Sequence, residues 1–246
     1  MEKKLMFQGK ALTIRRIVVY VIGLWVMALG IAFAVNSDFG VSPVTTLPYV
    51  CGRILGISVG TGTMVAYTAY IFIELLVYRK EFKIIYVLQF PAALMFGYFT
   101  DMCKALISPL GTPETIITKV IFVLIGVVLL GAGLCGYLEA DIMAIPTDAL
   151  AVAIAWLVKK PLGNVKRIFD LCIVASSLIL SLIFMHDYQG IWIGTIIAAL
   201  GVGTMLNFWS KVFRSQLKVF LYGKPEEKKE EETEAELTAE AALAEE

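Results

Sequence analysis

The chain has 246 residues, of which 59% are hydrophobic, and its mean hydropathy is +0.79. Soluble domains are about 45–50% apolar, so this composition excludes an ordinary soluble domain. The 21 basic and 21 acidic residues cancel, so the chain lacks the excess of positive charge that would indicate nucleic-acid binding. Several apolar runs reach the roughly 20 residues that cross a bilayer. The sequence therefore predicts an all-α polytopic membrane protein.

Charged segments flank the apolar part of the chain. The first segment, 1–14, is basic, and the last, 215–246, is acidic and rich in Ala and Glu. The acidic tail is predicted to be disordered or partly helical. No small-residue cleavage site follows the first apolar run, so we expect a retained helix rather than a removed signal peptide.

Six full spans and two shorter helices are predicted between these segments. The short helices are only about fourteen residues long, which suits re-entrant or interfacial segments better than full spans. The predicted spans are 15–35, 61–78, 84–104, 119–138, 164–185 and 189–210, and the short helices are 43–56 and 146–159.

Basic clusters determine the predicted orientation, because cytoplasmic loops are enriched in Lys and Arg. If the N-terminus is cytoplasmic and the short helices do not cross, every strong basic cluster is cytoplasmic. An eight-span alternative would place the first cluster outside. Both termini are therefore predicted to be cytoplasmic, with 105–118 as an external loop. The clusters are Arg79, Lys80 and Lys83; Lys159, Lys160, Lys166 and Arg167; and Lys211, Arg214 and Lys218.

An internal repeat is visible when residues 28–47 are laid over residues 131–150, an offset of 103 residues. Later in the chain Gly97 falls on Gly203, an offset of 106. Ordered similarity of this kind predicts a duplication. The pairs matched at offset 103 are Gly30 and Gly133, Asp38 and Asp141, Pro43 and Pro146, Leu47 and Leu150, and Gly60 and Gly163.

The two predicted repeats are 15–104 and 119–214, and each contains three spans and one short helix. Since three is odd, the copies must cross the membrane in opposite senses. The sequence therefore predicts two inverted repeats, an architecture common among transporters and channels.

The starts of the two short helices are the predicted substrate-binding site. Free N–H groups at a helix start carry partial positive charge, and irregular backbone at membrane depth is tolerated around a cavity. We expect both starts to meet between the repeats; the alternative is that both helices lie flat at opposite interfaces. The candidate residues are Asn36, Asp38, Ser42, Pro43, Thr45, Thr46, Glu139, Asp141, Pro146, Thr147 and Asp148, with Tyr67 and its counterpart Asp170.

Ionisable and polar residues inside the spans are further functional candidates. Asp170 is expected to pair with Arg167 on the same helix face. Glu74 is expected to snorkel to the membrane edge or to pair with a neighbouring cation. Gln89 and Asn207 are expected to form interhelical hydrogen bonds.

The repeated pattern is a glycine-bearing first span, a short D-x-G-x-x-P-x-x-x-L element, a glycine turn and a late glycine-rich span. Over residues 15–214 it resembles the YczE/YyaS/YitT group of bacterial integral membrane proteins. In that group the element usually reads like G-x-x-P-W-D-x-L. Val44-Thr45 and Thr147-Asp148 stand at the W-D positions here, so the second copy alone has the acid. The resemblance implies a multi-pass protein of the bacterial inner membrane and leaves the substrate open.

We expect a small-solute transporter or channel with its pathway between the repeats. Helix starts would favour an anionic solute, whereas the nearby acids favour a cation or proton coupling, in which Asp38 and Asp141 would act as a coupled pair of proton carriers. The substrate charge therefore stays open. The alternative function is a non-transporting accessory or assembly factor that recruits a protein partner through the acidic tail.

An enzyme is not expected, because the single histidine and the absence of HExxH and G-x-S-x-G leave no nucleophile–base set. The four scattered cysteines do not form a metal-ligand pattern. Neither a cofactor nor a metal nor a catalytic residue is predicted, and no GxxxxGK[ST] loop is present. The expected partners are the lipid bilayer, an unknown small solute and, for a homodimer, a second copy of the chain.

Overall fold

The computed structural model describes residues 13–82, 84–186 and 191–222, and all regular structure within these ranges is helical. This confirms the all-α prediction for the described residues. Three short 3-10 turns, Arg79–Glu81, Ile84–Leu88 and Ser108–Leu110, flank the fourth helix. The α-helices are α1 (Ile14–Asn36), α2 (Pro43–Leu55), α3 (Val59–Tyr78), α4 (Gln89–Ile107), α5 (Ile116–Ala140), α6 (Pro146–Val158), α7 (Leu162–Met185) and α8 (Ile193–Tyr222).

Five of these helices, α1, α3, α5, α7 and α8, are long and apolar enough to cross a membrane. The chain is therefore a multi-pass membrane protein. The third predicted span is less regular than expected, since 84–88 is a 3-10 turn and α4 begins at Gln89. Asp101 and Lys104 lower the hydropathy of α4, which is 19 residues long and is not among the five.

The two ends of the predicted domain map are only partly covered. α8 continues through Tyr222, so the first residues of the predicted acidic tail belong to a helix. The remaining tail, 223–246, and most of the basic N-terminal segment, 1–12, lie outside the described residues, as do 83 and 187–190.

The helices follow one another as long, short, long, long, and this order occurs twice, in α1–α4 and in α5–α8. Both short helices have 13 residues and begin with a proline at the first helical position. The preceding residues, Ser42 and Ile145, have nearly identical backbone angles, φ/ψ −64°/149° and −64°/150°. Proline is favoured at this position because its fixed φ suits the helix and its missing N–H would be unpaired anyway.

Two other backbone features recur at the offset of 103. Asp38 and Asp141, after the first helix of each half, both have a left-handed backbone, with φ of 47° and 49°. Gly56 and Lys159, which end the short helices, are left-handed as well, with φ of 66° and 52°. Glycine adopts this conformation without strain, whereas lysine and aspartate require support from the surrounding fold.

The first helices of the two halves, α1 and α5, form the closest helix pair. A Cβ atom added to Gly23 would lie 2.7 Å from the amide nitrogen of Tyr137, and one added to Gly133 would lie 2.7 Å from the carbonyl oxygen of Gly23. One added to Gly30 would lie 2.7 Å from the carbonyl oxygen of Gly126. Residue numbers thus rise along α1 as they fall along α5, so the two helices are antiparallel. Small residues at such interfaces let membrane helices pack backbone to backbone.

One end of the helix bundle gathers the start of α1 and the ends of α5 and α8. Nε of Arg16 donates to the carbonyl oxygen of Ala140 at 2.9 Å. Arg214 of α8 pairs with Glu139 at 2.8 Å, and the hydroxyl of Tyr222 donates to the carbonyl oxygen of Glu139 at 3.0 Å. These contacts tie three chain segments together at the same end.

The opposite end gathers the end of α1, the α4–α5 connection and the start of α8. Nδ2 of Asn36 donates to the carbonyl oxygen of Gly111 at 2.8 Å. The amide of Gly194 donates to the carbonyl oxygen of Phe39 at 2.9 Å. Between these ends, each of the short helices α2 and α6 packs against both α3 and α7.

Candidate functional site

Polar side chains form a stripe along one face of α7. Lys166, Asp170, Ser177 and Ser181 are spaced so that they lie on one side of the helix. The two serines are fully buried, although this helix as a whole has little buried surface. The stripe therefore faces the protein, where α7 meets α2 and α6.

The corresponding face of α3 is also polar and is buried along its whole length. It holds five side chains that are at most 9% exposed, in a 4–3–4–4 spacing that matches positions 166, 170, 173, 177 and 181 of α7. Buried polar residues in a membrane helix are costly unless they are hydrogen-bonded, and they often mark binding or transport sites. The five residues are Thr63, Tyr67, Tyr70, Glu74 and Tyr78.

An ion-pair network joins the start of α6 to the α7 stripe. Nζ of Lys166 lies 2.9 Å from Oδ1 of Asp148 and 3.2 Å from Oδ1 of Asp170. All three side chains are partly buried, at 27–30% exposed. Two carboxylates thus share one ammonium group, which leaves one net negative charge beside the first turn of α6.

Two buried tyrosines lie at the start of α6, and two more buried tyrosines pack on them. Tyr67 and Tyr137 lie close enough to Asp148 to interact with it electrostatically. Tyr20 lies 5.7 Å from Tyr137 and Tyr70 lies 6.1 Å from Tyr67, measured between ring centroids. Together these rings supply hydroxyl groups in a largely apolar setting, as interiors that bind small polar molecules do.

Tyr137 accepts a hydrogen bond from the backbone of the residue that precedes α6. Ile145 precedes α6 and has no capping side chain, but its own N–H donates to the hydroxyl of Tyr137 at 2.7 Å. Thr147 is fully buried beside Tyr67, and its hydroxyl makes no hydrogen bond of good geometry. The start of α6 is therefore tied to Tyr137 through its backbone and places the buried hydroxyl of Thr147 next to Tyr67.

The start of α2 contacts α7 at a different level. The hydroxyl of Ser177 donates to the hydroxyl of Thr46 at 3.1 Å. Ser177 lies seven residues after Asp170, which is about 10 Å along the helix axis. Ser42 and Thr45 bond with each other within the first turn of α2, 3.3 Å apart. The two proline-headed starts, at Pro43 and Pro146, thus approach the same face of α7 about two turns apart.

The structure brings together part of the predicted site. Thr147, Asp148, Tyr67 and Asp170 meet around the start of α6, next to Pro146. Ser42, Pro43, Thr45 and Thr46 form the second level described above. The expected pair of Asp170 with Arg167 is wrong, because the carboxylate turns to Lys166, one turn earlier on the helix.

Four predicted site residues lie away from this cluster. Asn36 binds the backbone at Gly111, and Asp38 is exposed. Glu139 pairs with Arg214, and the carbonyl oxygen of Asp141 accepts a hydrogen bond from Arg16. These residues join chain segments at the two ends of the bundle.

Sequence reasoning missed Lys166, Tyr137 and Ser177. Lys166 is predicted to belong to a cytoplasmic basic cluster, yet its spacing of four from Asp170 also indicates an ion pair. Tyr137 gave no signal in the sequence, because its role depends on the chain returning eight residues later at Ile145. Within the described residues there is no group of three or more His, Cys, Asp and Glu that could hold a metal ion.

Comparison with known proteins identifies relatives of this chain by sequence. A family model described as "Family of unknown function (DUF6198)" matches residues 14–211. The "Uncharacterized protein YyaS" of Bacillus subtilis (strain 168) is 25% identical over 194 residues, which cover 78% of this chain and 91% of that protein. The resemblance to YyaS-like proteins predicted from the sequence is therefore confirmed. The search of solved structures found no match.

Proposed function

This chain belongs to the DUF6198 family, and we propose that it is a transporter or channel for a small polar solute that passes between two inverted repeats. α1–α4 form one repeat and α5–α8 the other, with α4 as the sixth span. At about 28 Å, its 19 residues are close to the roughly 30 Å of a bilayer core. We place the protein in the bacterial inner membrane with both termini cytoplasmic.

The α1–α5 interface supports the inverted arrangement. The contact between Gly23 and Gly133 becomes the contact between Gly126 and Gly30 when each residue is replaced by its counterpart at offset 103. A pair of contacts that exchange in this way is what a two-fold axis between antiparallel copies produces. α2 with α7 and α6 with α3 are a second pair of contacts that exchange.

One contact in the first half has no counterpart in the second half, and this difference is the observation that carries the proposal. In the first half α3 packs along α4, and Gly60 and Gly97 meet backbone to backbone. Their counterparts, Gly163 in α7 and Gly203 in α8, have no atom within 4 Å of an added Cβ. Over their described residues α7 and α8 do not pack along one another.

A polar contact between the same two helices of the first half is also missing from the second half. Asp101 of α4 accepts hydrogen bonds from the N–H of Gly60, at 2.8 Å, and from the hydroxyl of Ser58, so it caps the start of α3. At offset 106 its counterpart on α8 is Asn207. Asn207 is exposed, and α7 begins without a side-chain cap.

In this proposal, the packed first half is the closed side of the pathway and the separated second half is the open side. Under the predicted orientation the start of α3 is external and the start of α7 is cytoplasmic, so this state is closed outside and open inside. Exchange of the two arrangements would close α7 on α8 and open α3 from α4. Alternating access in inverted-repeat transporters works by such an exchange around a central site.

The central site in this proposal is the cluster at the start of α6. Lys166 neutralises only one of the carboxylates of Asp148 and Asp170. The remaining negative charge and the tyrosine hydroxyls favour a cationic or neutral hydrogen-bonding solute over an anion.

Cross-linking of α7 to α8 tests the exchange. We expect cysteines at Gly163 and Gly203, in a chain whose native cysteines are replaced, to form a disulfide when membranes are oxidised. That bond requires the two Cα atoms to approach within about 7 Å. The bond should trap the protein and stop uptake into proteoliposomes until a reductant is added. Each single-cysteine variant is the control, and both should stay active under oxidation.

The same preparation tests transport itself, with a panel of inorganic ions, amines, amino acids and organic acids. Failure to move any of them would contradict the proposal, as would a disulfide that forms without loss of uptake. If, instead, deletion of 225–246 alone removes the cellular phenotype, the protein acts as an accessory factor through its acidic tail.

A further inference from the structure

A buried polar pair lies on the polar face of α3, away from the cluster at the start of α6. Glu74 of α3 and Gln89, the first residue of α4, are both 0% exposed. Nε2 of Gln89 donates to Oε2 of Glu74 at 3.0 Å. Glu74 lies seven residues, or about 10 Å, beyond Tyr67 along the helix. The expectation that it would snorkel to the membrane edge is therefore wrong.

The pair contains two oxygen atoms without a partner. Neither Oε1 of Glu74 nor Oε1 of Gln89 makes a hydrogen bond. Buried polar atoms are nearly always paired, so two orphaned acceptors on adjacent side chains require an explanation. The missing partner must be a donor or a cation, because both atoms are acceptors when Glu74 is ionised.

Among the described residues, the surroundings of Glu74 offer no compensating charge. No ion pair in the described part of the chain involves Glu74. Tyr86, in the turn before α4, is the titratable group that interacts with it electrostatically. Further along this face Tyr78 packs on Tyr86, on Trp156 and on Ala153 of α6, which are aromatic or apolar. An ionised carboxylate is costly in such a setting.

A single proton accounts for both orphaned atoms. Bound to Oε1 of Glu74, it removes the charge and converts that atom into a donor. Oε1 of Gln89 belongs to the amide that already donates to Oε2, so the acid and the amide can form two reciprocal hydrogen bonds. A hard metal cation takes about six or more oxygen ligands, and this pair offers two free ones.

We propose that Glu74 and Gln89 form a proton-binding site inside the membrane, with the proton carried by Glu74. The site exists in one half only, because the counterpart of Glu74 is Ser177, whose hydroxyl bonds to Thr46 and to the carbonyl oxygen of Ile173. The use of this proton to drive uptake rests on the proposed function, whereas the proton site itself does not.

Infrared spectroscopy of the protein in lipid detects the proton directly. At neutral pH we expect a carbonyl stretching band of a protonated carboxylic acid, shifted in heavy water, that is absent from Glu74→Gln. The exposed Glu81, in the following turn, supplies the control, and Glu81→Gln should keep the band. A spectrum without this difference would overturn the proposal, as would restoration of the carboxylate by Na⁺ at constant pH.

The wild-type band also allows a test that needs no variant, should Glu74→Gln fail to fold. A glutamic acid side chain in water titrates near pH 4.3, so a band that persists at pH 7 supports the site, and complete loss of all such bands by about pH 6 contradicts it.

The coupling of this proton to solute uptake is measured separately. A pH gradient should drive uptake by the wild type but not by Glu74→Gln, which should still exchange solute across the membrane. If the wild type shows neither gradient-driven uptake nor solute exchange, the proposed transport function is contradicted. The infrared evidence for the proton site is independent of that result.

Discussion

Alanine in place of Gly133 should markedly destabilise the protein, whereas alanine in place of Gly136 should not. The added methyl group at Gly133 would lie 2.6 Å from the backbone nitrogen of Met27 and 2.7 Å from the carbonyl oxygen of Gly23. Backbone atoms of two packed helices cannot move aside as a flexible side chain does, so α1 and α5 must separate. Overpacking of this kind costs about 1–3 kcal/mol.

Gly136 provides a matched control, because it lies on the same helix and an added Cβ would have its nearest neighbour at 3.7 Å. There alanine should be neutral or stabilising by up to about 1 kcal/mol, since alanine favours helix over glycine. Thermal unfolding in detergent measures both variants. Gly30→Ala should behave like Gly133→Ala, because the two glycines are counterparts across the α1–α5 interface. Equal stability of the Gly133 and Gly136 variants would show that this interface is not closely packed.

Methionine in place of Lys166 should reduce the stability of the protein. The change leaves the carboxylates of Asp148 and Asp170 without their shared cation, in a site where each is less than one-third exposed. Breaking a fully buried pair costs about 3–5 kcal/mol, and the partial exposure here lowers the expected loss to about 1–3 kcal/mol. Lys160→Met, on the exposed connection before α7, should have little effect.

A double-mutant cycle separates the charge effect from the loss of packing. Adding Asp148→Asn to Lys166→Met removes one of the two uncompensated charges and should recover part of the lost stability. The coupling is measured from the unfolding of the four proteins in the cycle. If the Lys166→Met protein is as stable as the Lys160→Met protein, the ion-pair network is not what organises the start of α6. The same follows if Asp148→Asn destabilises the Lys166→Met protein as much as it destabilises the wild type.

The helix pattern could be predicted from the sequence because it depends on local properties. Apolar runs marked the long helices, and Pro43 and Pro146 marked the starts of the short ones to the residue. The same offset of 103 relates Asp38 to Asp141, whose shared left-handed backbone the sequence alone did not reveal. The 3-10 turn at Ile84–Leu88 was missed because an apolar run does not distinguish it from the first turn of a helix.

The candidate site was predicted less well because it depends on contacts between distant segments. Asp170 could have met Arg167 or Lys166 on its own helix, and the arrival of Asp148 from α6 decides in favour of Lys166. Glu74 is buried and accepts a hydrogen bond from Gln89 of α4, fifteen residues later in the chain. The separation of α7 from α8 could not be predicted from the sequence. The internal repeat predicts that α7 packs along α8 as α3 packs along α4.

The central claim is that the two halves cross the membrane in opposite senses, and labelling of counterpart residues tests it most directly. Thr61, in the first turn of α3, and Asn164, in the first turn of α7, are counterparts at offset 103, and both are exposed. Each is replaced by cysteine in a chain without its native cysteines, and intact cells are treated with a membrane-impermeant maleimide. We predict that the cysteine at position 61 is labelled at once and the cysteine at 164 only after the cells are permeabilised. Labelling of both from the same side would contradict the inverted repeat and the pathway built on it.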